Sequence, residues 1–290
     1  MQEQKEITLA QHCGFCYGVK RAVETVKKLK KENPDKNIYV LGELIHNSDV
    51  IKELENLGIQ TINDIPKSGD GICVIRSHGA SPEIFEKLKS AGFEIVDLTC
   101  PDVKKVQQKA IELVKSGYYL VIVGKSEHPE VMAIKANAKL YGDNIAVVNT
   151  TEQLDLIKQK LKTFKRIGVV VQTTQRLSTL NKIVTELVPI AKELLIANTI
   201  CPSTSLRQNE AINLAQNTDL MVVVGSKKSA NTTHLAEILT KITKTVHIEN
   251  ELELNKEMLK GVQKISVTAG ASTPDYVINN VIEKIRKEGE

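Results

Sequence analysis

Short apolar runs rich in β-branched residues recur along the chain, and each is followed by a stretch in which apolar side chains return at helical spacing. Phe93 to Leu98 is one such run. Past it, Pro101 can occupy the first turn of a helix without losing a needed hydrogen bond. Val103, Val106, Ala110, Leu113 and Val114 then keep the helical period until Gly117. Cys100 falls between the end of a predicted strand and the start of a predicted helix, where unpaired backbone N–H groups and the helix dipole favour a thiolate. The same order occurs twice more. Ile7 to Ala10 leads to Gly14-Phe15-Cys16-Tyr17-Gly18 and a helix marked by Val19, Ala22, Val23, Val26 and Leu29. Leu194 to Asn198 leads to Thr199-Ile200-Cys201-Pro202 and a helix carrying Leu206, Ile212, Leu214 and Ala215.

The rest of the chain keeps this repeat. Gly42, Gly124 and Gly225 end apolar strands 26, 24 and 24 residues after Cys16, Cys100 and Cys201, and four residues later stand His46, His128 and Ser229. Each unit continues with helix, strand and a last strand that runs into a polar loop. These loops are Arg76-Ser77-His78-Gly79, Gln172-Thr173-Thr174-Gln175 and Thr268-Ala269-Gly270-Ala271-Ser272. Helices over Pro82 to Ser90, Leu177 to Leu195 and Pro274 to Lys287 close the units. Short apolar strands alternating with helices predict an α/β protein of three quasi-equivalent domains with parallel sheets, arranged as a trefoil around a centre. The expected segments are 1–93, 94–194 and 195–290, although the strand before each cysteine fits either neighbour. All the polar loops follow strand C-terminal ends, where open α/β sheets bind ligands.

Composition narrows the classes. The longest apolar runs, such as Leu120 to Val123, are far too short to cross a bilayer, and no apolar segment follows Met1, so a cytoplasmic chain without membrane attachment is expected. Five cysteines, an odd number, argue against a disulfide framework there. The net charge of +4 rests on lysines spread along helices, and with few aromatics and no recognition motif no nucleic-acid partner is expected.

Three single cysteines, 84 and 101 residues apart, are an unusual set for structural zinc, which draws on closely spaced pairs. Cys13 and Cys16 do form a C-x-x-C pair, so a four-thiolate zinc site stays open. A cubane 4Fe-4S cluster with three cysteine ligands, Cys16, Cys100 and Cys201, and one open iron suits the repeat better. The repeat also brings His46, His78 and His128 together with Thr173, Ser229, Asn231 and Ser272. Cationic rings, hydroxyls and an amide without competing carboxylates suit a phosphate or diphosphate. Glu130, in His128-Pro129-Glu130, is the carboxylate that stands apart, and near a metal it would hold a proton and could pass it on. Its plainer reading is a first-turn acid facing the helix dipole. Cys73 reads as a core residue, and His12, His234 and His247 as surface or capping groups.

Taken in order, Gly14-Phe15-Cys16-Tyr17-Gly18-Val19, Ile45-His46-Asn47, Arg76-Ser77-His78-Gly79, Asp97-Leu98-Thr99-Cys100-Pro101, Gly124 through His128-Pro129-Glu130-Val131, Gln172-Thr173-Thr174, Thr199-Ile200-Cys201 and Thr268-Ala269-Gly270-Ala271-Ser272 closely resemble the 4-hydroxy-3-methylbut-2-enyl diphosphate reductase family. The resemblance implies an iron-sulfur oxidoreductase at the last step of the methylerythritol phosphate route to isoprenoids. It would make isopentenyl and dimethylallyl diphosphate from an allylic diphosphate, with electrons from a ferredoxin or flavodoxin. It further implies cluster ligation by Cys16, Cys100 and Cys201, diphosphate binding by His46, His78, His128, Ser229, Asn231 and Ser272, and Thr173 and Glu130 near the substrate hydroxyl. Ala230 stands where many members carry a second serine. Two other readings compete: a dehydratase resembling quinolinate synthase, and an iron-sulfur redox sensor without catalysis.

Overall fold

The structure is a computed structural model and describes residues 5–289. Its strands form three four-stranded sheets in which every pairing is parallel. The chain begins with β1 (Glu6–Leu9). One sheet contains β2 (Ile38–Leu41), β3 (Ile59–Ile62), β4 (Ile72–Ile75) and β5 (Glu94–Asp97) in the order β3-β2-β4-β5. A second contains β6 (Tyr119–Val123), β7 (Ile145–Val148), β8 (Arg166–Val171) and β9 (Glu193–Ile196) in the order β7-β6-β8-β9. The third joins β10 (Leu220–Val224), β11 (Thr245–Ile248) and β12 (Lys264–Ala269) to β1 in the equivalent order β11-β10-β12-β1. The α-helices are α1 (Tyr17–Glu32), α2 (Ser48–Asn56), α3 (Pro82–Ser90), α4 (Pro101–Lys115), α5 (Pro129–Lys139), α6 (Thr151–Asp155), α7 (Lys158–Leu161), α8 (Leu177–Leu187), α9 (Pro202–Ala215), α10 (Ala230–Leu239) and α11 (Asp275–Gly289).

The strand pairings decide which neighbour the strand before each cysteine joins. β5 lies beside β4, with Ile72 opposite Glu94, and β9 beside β8, with Arg166 opposite Glu193. The strand before a cysteine thus completes the sheet of the preceding repeat. The reason is the parallel crossover: α3 and α8 each return the chain beside the strand it has just left. In the third sheet that place falls to β1, with Glu6 opposite Lys264. The structure corrects the expected end of α8, which stops at Leu187 rather than Leu195. Pro189, with no N–H to donate, cannot continue the ladder of hydrogen bonds past Val188, and Glu193–Ile196 is needed as β9.

Period-two packing explains why the central strands are apolar throughout. Tyr119, Val121 and Val123 of β6 face a core shared with Leu180, Ile183 and Leu187 of α8. Leu120 and Ile122 face the opposite core, with Val106, Ala110 and Leu113 of α4 and Ile134 of α5. β10 repeats the scheme, sending Leu220, Val222 and Val224 toward α11 and Met221 and Val223 toward α9 and α10.

By compactness the chain divides into two units. One comprises the N-terminal residues up to Val23, Ile45–Glu53 and the chain from Pro202 onward, and it holds the third sheet. The other comprises Glu24–Leu44 and Leu54–Cys201 and holds the first two.

Gly71, ahead of β4, has φ +94°, and a Cβ there would lie 2.2 Å from the Asn37 carbonyl oxygen, whose own bond goes to the Ile72 N–H at 2.9 Å. Gly71→Ala is expected to destabilise the fold by about 2 kcal/mol or more, read as a lower urea midpoint at unchanged slope.

Candidate active site

The three cysteines occupy equivalent positions, each in its own repeat. The Cys16 N–H donates to the Ala271 carbonyl at 3.2 Å, the Cys100 N–H to Ser77 at 2.9 Å and the Cys201 N–H to Thr173 at 3.0 Å. In each case the acceptor lies in the polar loop of the neighbouring strand, and in each case a helix starts on the next residue. At α1 the Val19 N–H meets Cys16 Sγ at 3.5 Å, so the sulfur takes a capping place at the helix start.

In the larger unit, six of the expected residues adjoin in a chain that runs from Cys201 to Cys100. Thr173, bonded through its carbonyl to Cys201, donates its N–H to Glu130 Oε1 at 2.7 Å and its hydroxyl to Glu130 Oε2 at 2.7 Å. The Glu130 N–H in turn donates to Nδ1 of His128, the N-cap of α5, at 3.2 Å. A neutral His128 ring therefore carries its proton at Nε2. His78 stands edge-on to His128, with ring centroids 5.3 Å apart and an interplanar angle of 85°. Ser77, beside His78, accepts from Cys100. The network leads from one cysteine to another through the residues best suited to move a proton.

Glu130 is 1% exposed. Burial pushes its carboxyl up from 4.5 to about 7, against the two Thr173 bonds, which pull it down. A first-turn acid that only answered the helix dipole would be solvated and ionised. This one sits at the balance point of a group that gives and takes protons at neutral pH.

The smaller unit holds Cys16, His46, Ser229, Asn231 and Ser272. Ser229 caps α10, accepting from the Thr232 N–H at 3.5 Å, and Ser272 donates its hydroxyl to the His46 carbonyl at 3.3 Å. Asn231 is buried and its Nδ2 has no partner among the described residues, nor does the hydroxyl of buried Thr232 beside it. Buried donors left open at a strand-to-helix turn are suited to an anion. Among the described residues of either unit, no three His, Cys, Asp or Glu side chains group as a metal site.

Several residues were not legible from pattern. Asn47, not His46, is the cap equivalent to His128 and Ser229, its Oδ1 accepting from the Asp49 and Val50 N–H groups at 3.1 Å each. Asn followed by Ser-Asp before an apolar period was the available signal. Gln172, fully buried, accepts at Oε1 from the Lys125 N–H at 3.1 Å and ties two loops. Asp97 accepts the Thr99 N–H at 2.9 Å and its hydroxyl, shaping the turn into Cys100. His234, expected at the surface or as a cap, is instead 4% exposed, because α10 is covered on most of its sides. Cys73 is a core residue, and burial raises its thiol to about 11. No helix among the described residues is long and apolar enough to cross a membrane.

Comparison with known proteins shows what the chain as a whole is similar to. The LytB protein family profile matches residues 7–286. The 4-hydroxy-3-methylbut-2-enyl diphosphate reductase of Caldanaerobacter subterraneus subsp. tengcongensis is 44% identical over 286 residues, covering 97% of this chain and 96% of the relative. A solved structure of (E)-4-hydroxy-3-methyl-but-2-enyl diphosphate reductase, described as the terminal enzyme of the non-mevalonate pathway, is 38% identical. It superposes with a TM-score of 0.73 over 98% of this chain and 99% of its own. The E-1-hydroxy-2-methyl-but-2-enyl-4-diphosphate reductase of Plasmodium falciparum is 30% identical with a TM-score of 0.87, over 97% and 87%. None of these carries a dehydratase or sensor name. With a matched profile over nearly its whole length and reductases on every side, the chain belongs to the LytB family of 4-hydroxy-3-methylbut-2-enyl diphosphate reductases.

Proposed function

We propose that this chain reduces (E)-4-hydroxy-3-methylbut-2-enyl diphosphate to isopentenyl and dimethylallyl diphosphate, with Cys16, Cys100 and Cys201 as the protein ligands of one 4Fe-4S cluster. The donor chemistry fits the group: three thiols at helix starts, each with its backbone tied down, and a helix N–H aimed at one sulfur. Such a cluster, with one iron left open, supplies electrons and a Lewis acid.

The observation that carries the reading is the buried Glu130 carboxyl held by Thr173. Overall the reaction takes up two electrons and two protons, breaks the C–O bond to the hydroxyl, forms one C–H bond and releases water. Glu130, protonated below about pH 7, delivers a proton to the departing hydroxyl. Thr173 fixes the direction of that carboxyl and lies within reach of the same oxygen. His46, His78, His128, Ser229, Asn231 and Ser272 receive the diphosphate, His128 offering Nε2–H and Asn231 its unpartnered Nδ2. Ala230 removes one hydroxyl from this set, and the Ser229-to-α10 turn offers backbone N–H groups in its stead. A ferredoxin or flavodoxin of the cytoplasm delivers the electrons singly.

The test is anaerobic. The purified chain is expected to show a brown chromophore and, by Mössbauer spectroscopy, one iron that changes when the allylic diphosphate is added. It should also oxidise reduced methyl viologen as the two five-carbon diphosphates form. A colourless chain, or one that leaves the dye reduced, would defeat the proposal.

A further inference from the structure

The helix that follows Cys201 grips the loop that carries Cys16. On α9, Arg207 is 3% exposed, and its guanidinium donates from Nη1 to the Ala269 carbonyl at 2.8 Å and from Nη2 to the Gly14 carbonyl at 3.0 Å. One turn further along the same helix face, Glu210 accepts the Gln11 N–H at Oε1 (2.6 Å) and the His12 N–H at Oε2 (2.7 Å), with His12 Nδ1 3.0 Å from the latter oxygen.

A cation on carbonyls and an anion on amides therefore fix the backbone from the end of β1 to Gly14, two residues before Cys16, through charge-assisted bonds. Arg207 acts on both sides of the sulfur. Gly14 leads into Cys16, whereas Ala269 lies two residues before Ala271, whose carbonyl receives the Cys16 N–H. Gly14 itself, at φ +72°, has Asp275 Oδ1 2.9 Å from where a Cβ would be, so the loop has little room to drift. A buried guanidinium is an expensive way to gain stability, since its desolvation offsets much of what its bonds return. What it does supply is direction, because its planar fork bridges two fixed acceptors.

We infer that Arg207 and Glu210 are positioning residues that hold the Cys16 sulfur where it ligates the cluster. The ligation half of this inference rests on the function proposed above.

Three full-length variants test it. Arg207→Lys keeps the charge but cannot bridge two carbonyls. Glu210→Gln keeps the size and sits nearer the surface, but its amide has only one oxygen to offer. Ile183→Val, in the core beneath β8, is a control for lost stability without contact to the loop. In the metal-free chain, iodoacetamide labelling followed by peptide mass spectrometry gives the rate at Cys16 relative to Cys100. That ratio is expected to change at least threefold in both loop variants and not in the control. In the anaerobically loaded chain, iron release to a chelator should be at least fivefold faster in both, and the midpoint potential should shift. Unchanged ratios and control-like iron release would overturn the inference, and if Arg207→Lys does not fold, Glu210→Gln decides alone. Should the parent chain take up no cluster, the ligation reading fails, while the labelling ratio still decides whether the clamp sets Cys16.

Discussion

Glu130→Gln lowers kcat by a factor between about 100 and 10,000, the range associated with loss of one positioned proton donor, and leaves the visible absorption of the loaded protein unchanged. The amide preserves the shape of the group and can keep both Thr173 contacts, one as acceptor and one as donor, so the loss belongs to the proton rather than to packing. In the parent, activity should decline as pH rises through about 7, where the carboxyl empties, and the variant's residual activity should lack that limb. Stability follows the same group with a definite sign. A carboxyl raised from 4.5 to about 7 on folding binds its proton more tightly folded than unfolded, so the fold loses up to about 3 kcal/mol as pH climbs from 4.5 through 7. Glu130→Gln removes that penalty, and thermal melts at pH 5 and pH 8 should differ less for the variant than for the parent. Near-parental turnover would remove Glu130 from the chemistry. A pH-independent difference between the melts would show that its burial does not raise the carboxyl.

The second large effect concerns sulfur. Cys16→Ser, Cys100→Ser and Cys201→Ser each bring reductase activity below detection and lower the iron bound per chain, while Cys13→Ser and Cys73→Ser keep both. The contrast follows from position. The first three cysteines donate their N–H groups to the polar loop of the neighbouring strand, and Cys73 points into a sheet core where burial raises its thiol. Cys13 packs against the core of the third sheet, and burial lifts its thiol as well, opposed by the Arg207 charge and aided by Glu210 and Asp275. Iron analysis and activity on the five variants separate the two groups. An active Cys100→Ser chain, or an iron-free Cys13→Ser chain, would break the assignment.

Much of the architecture was legible because it is local. β6 and β10 are short and apolar throughout, and α4 follows a proline and stops at glycine, so pattern alone places the three cysteines at strand-to-helix junctions. What could not be read were choices made by distant partners. Nothing within Glu94–Asp97 says that it pairs with β4, and nothing within Glu6–Leu9 names β12. Arg207 reads as one more polar helix position, and only the folded chain shows it buried against two carbonyls. Glu130 could be singled out by type and spacing, but its contact with Thr173, 43 residues away, could not be read from either.

The placement of β1 bears on how such a chain is made. Glu6–Leu9 is synthesised long before its hydrogen-bonding partner, Lys264–Ala269. Until then the early strand must stay unpaired, with an exposed edge to shield, while the two sheets between can already form. Assembly of the Cys16 junction therefore waits on the third sheet, and under the ligation proposed above iron captured early would meet Cys100 and Cys201 before Cys16.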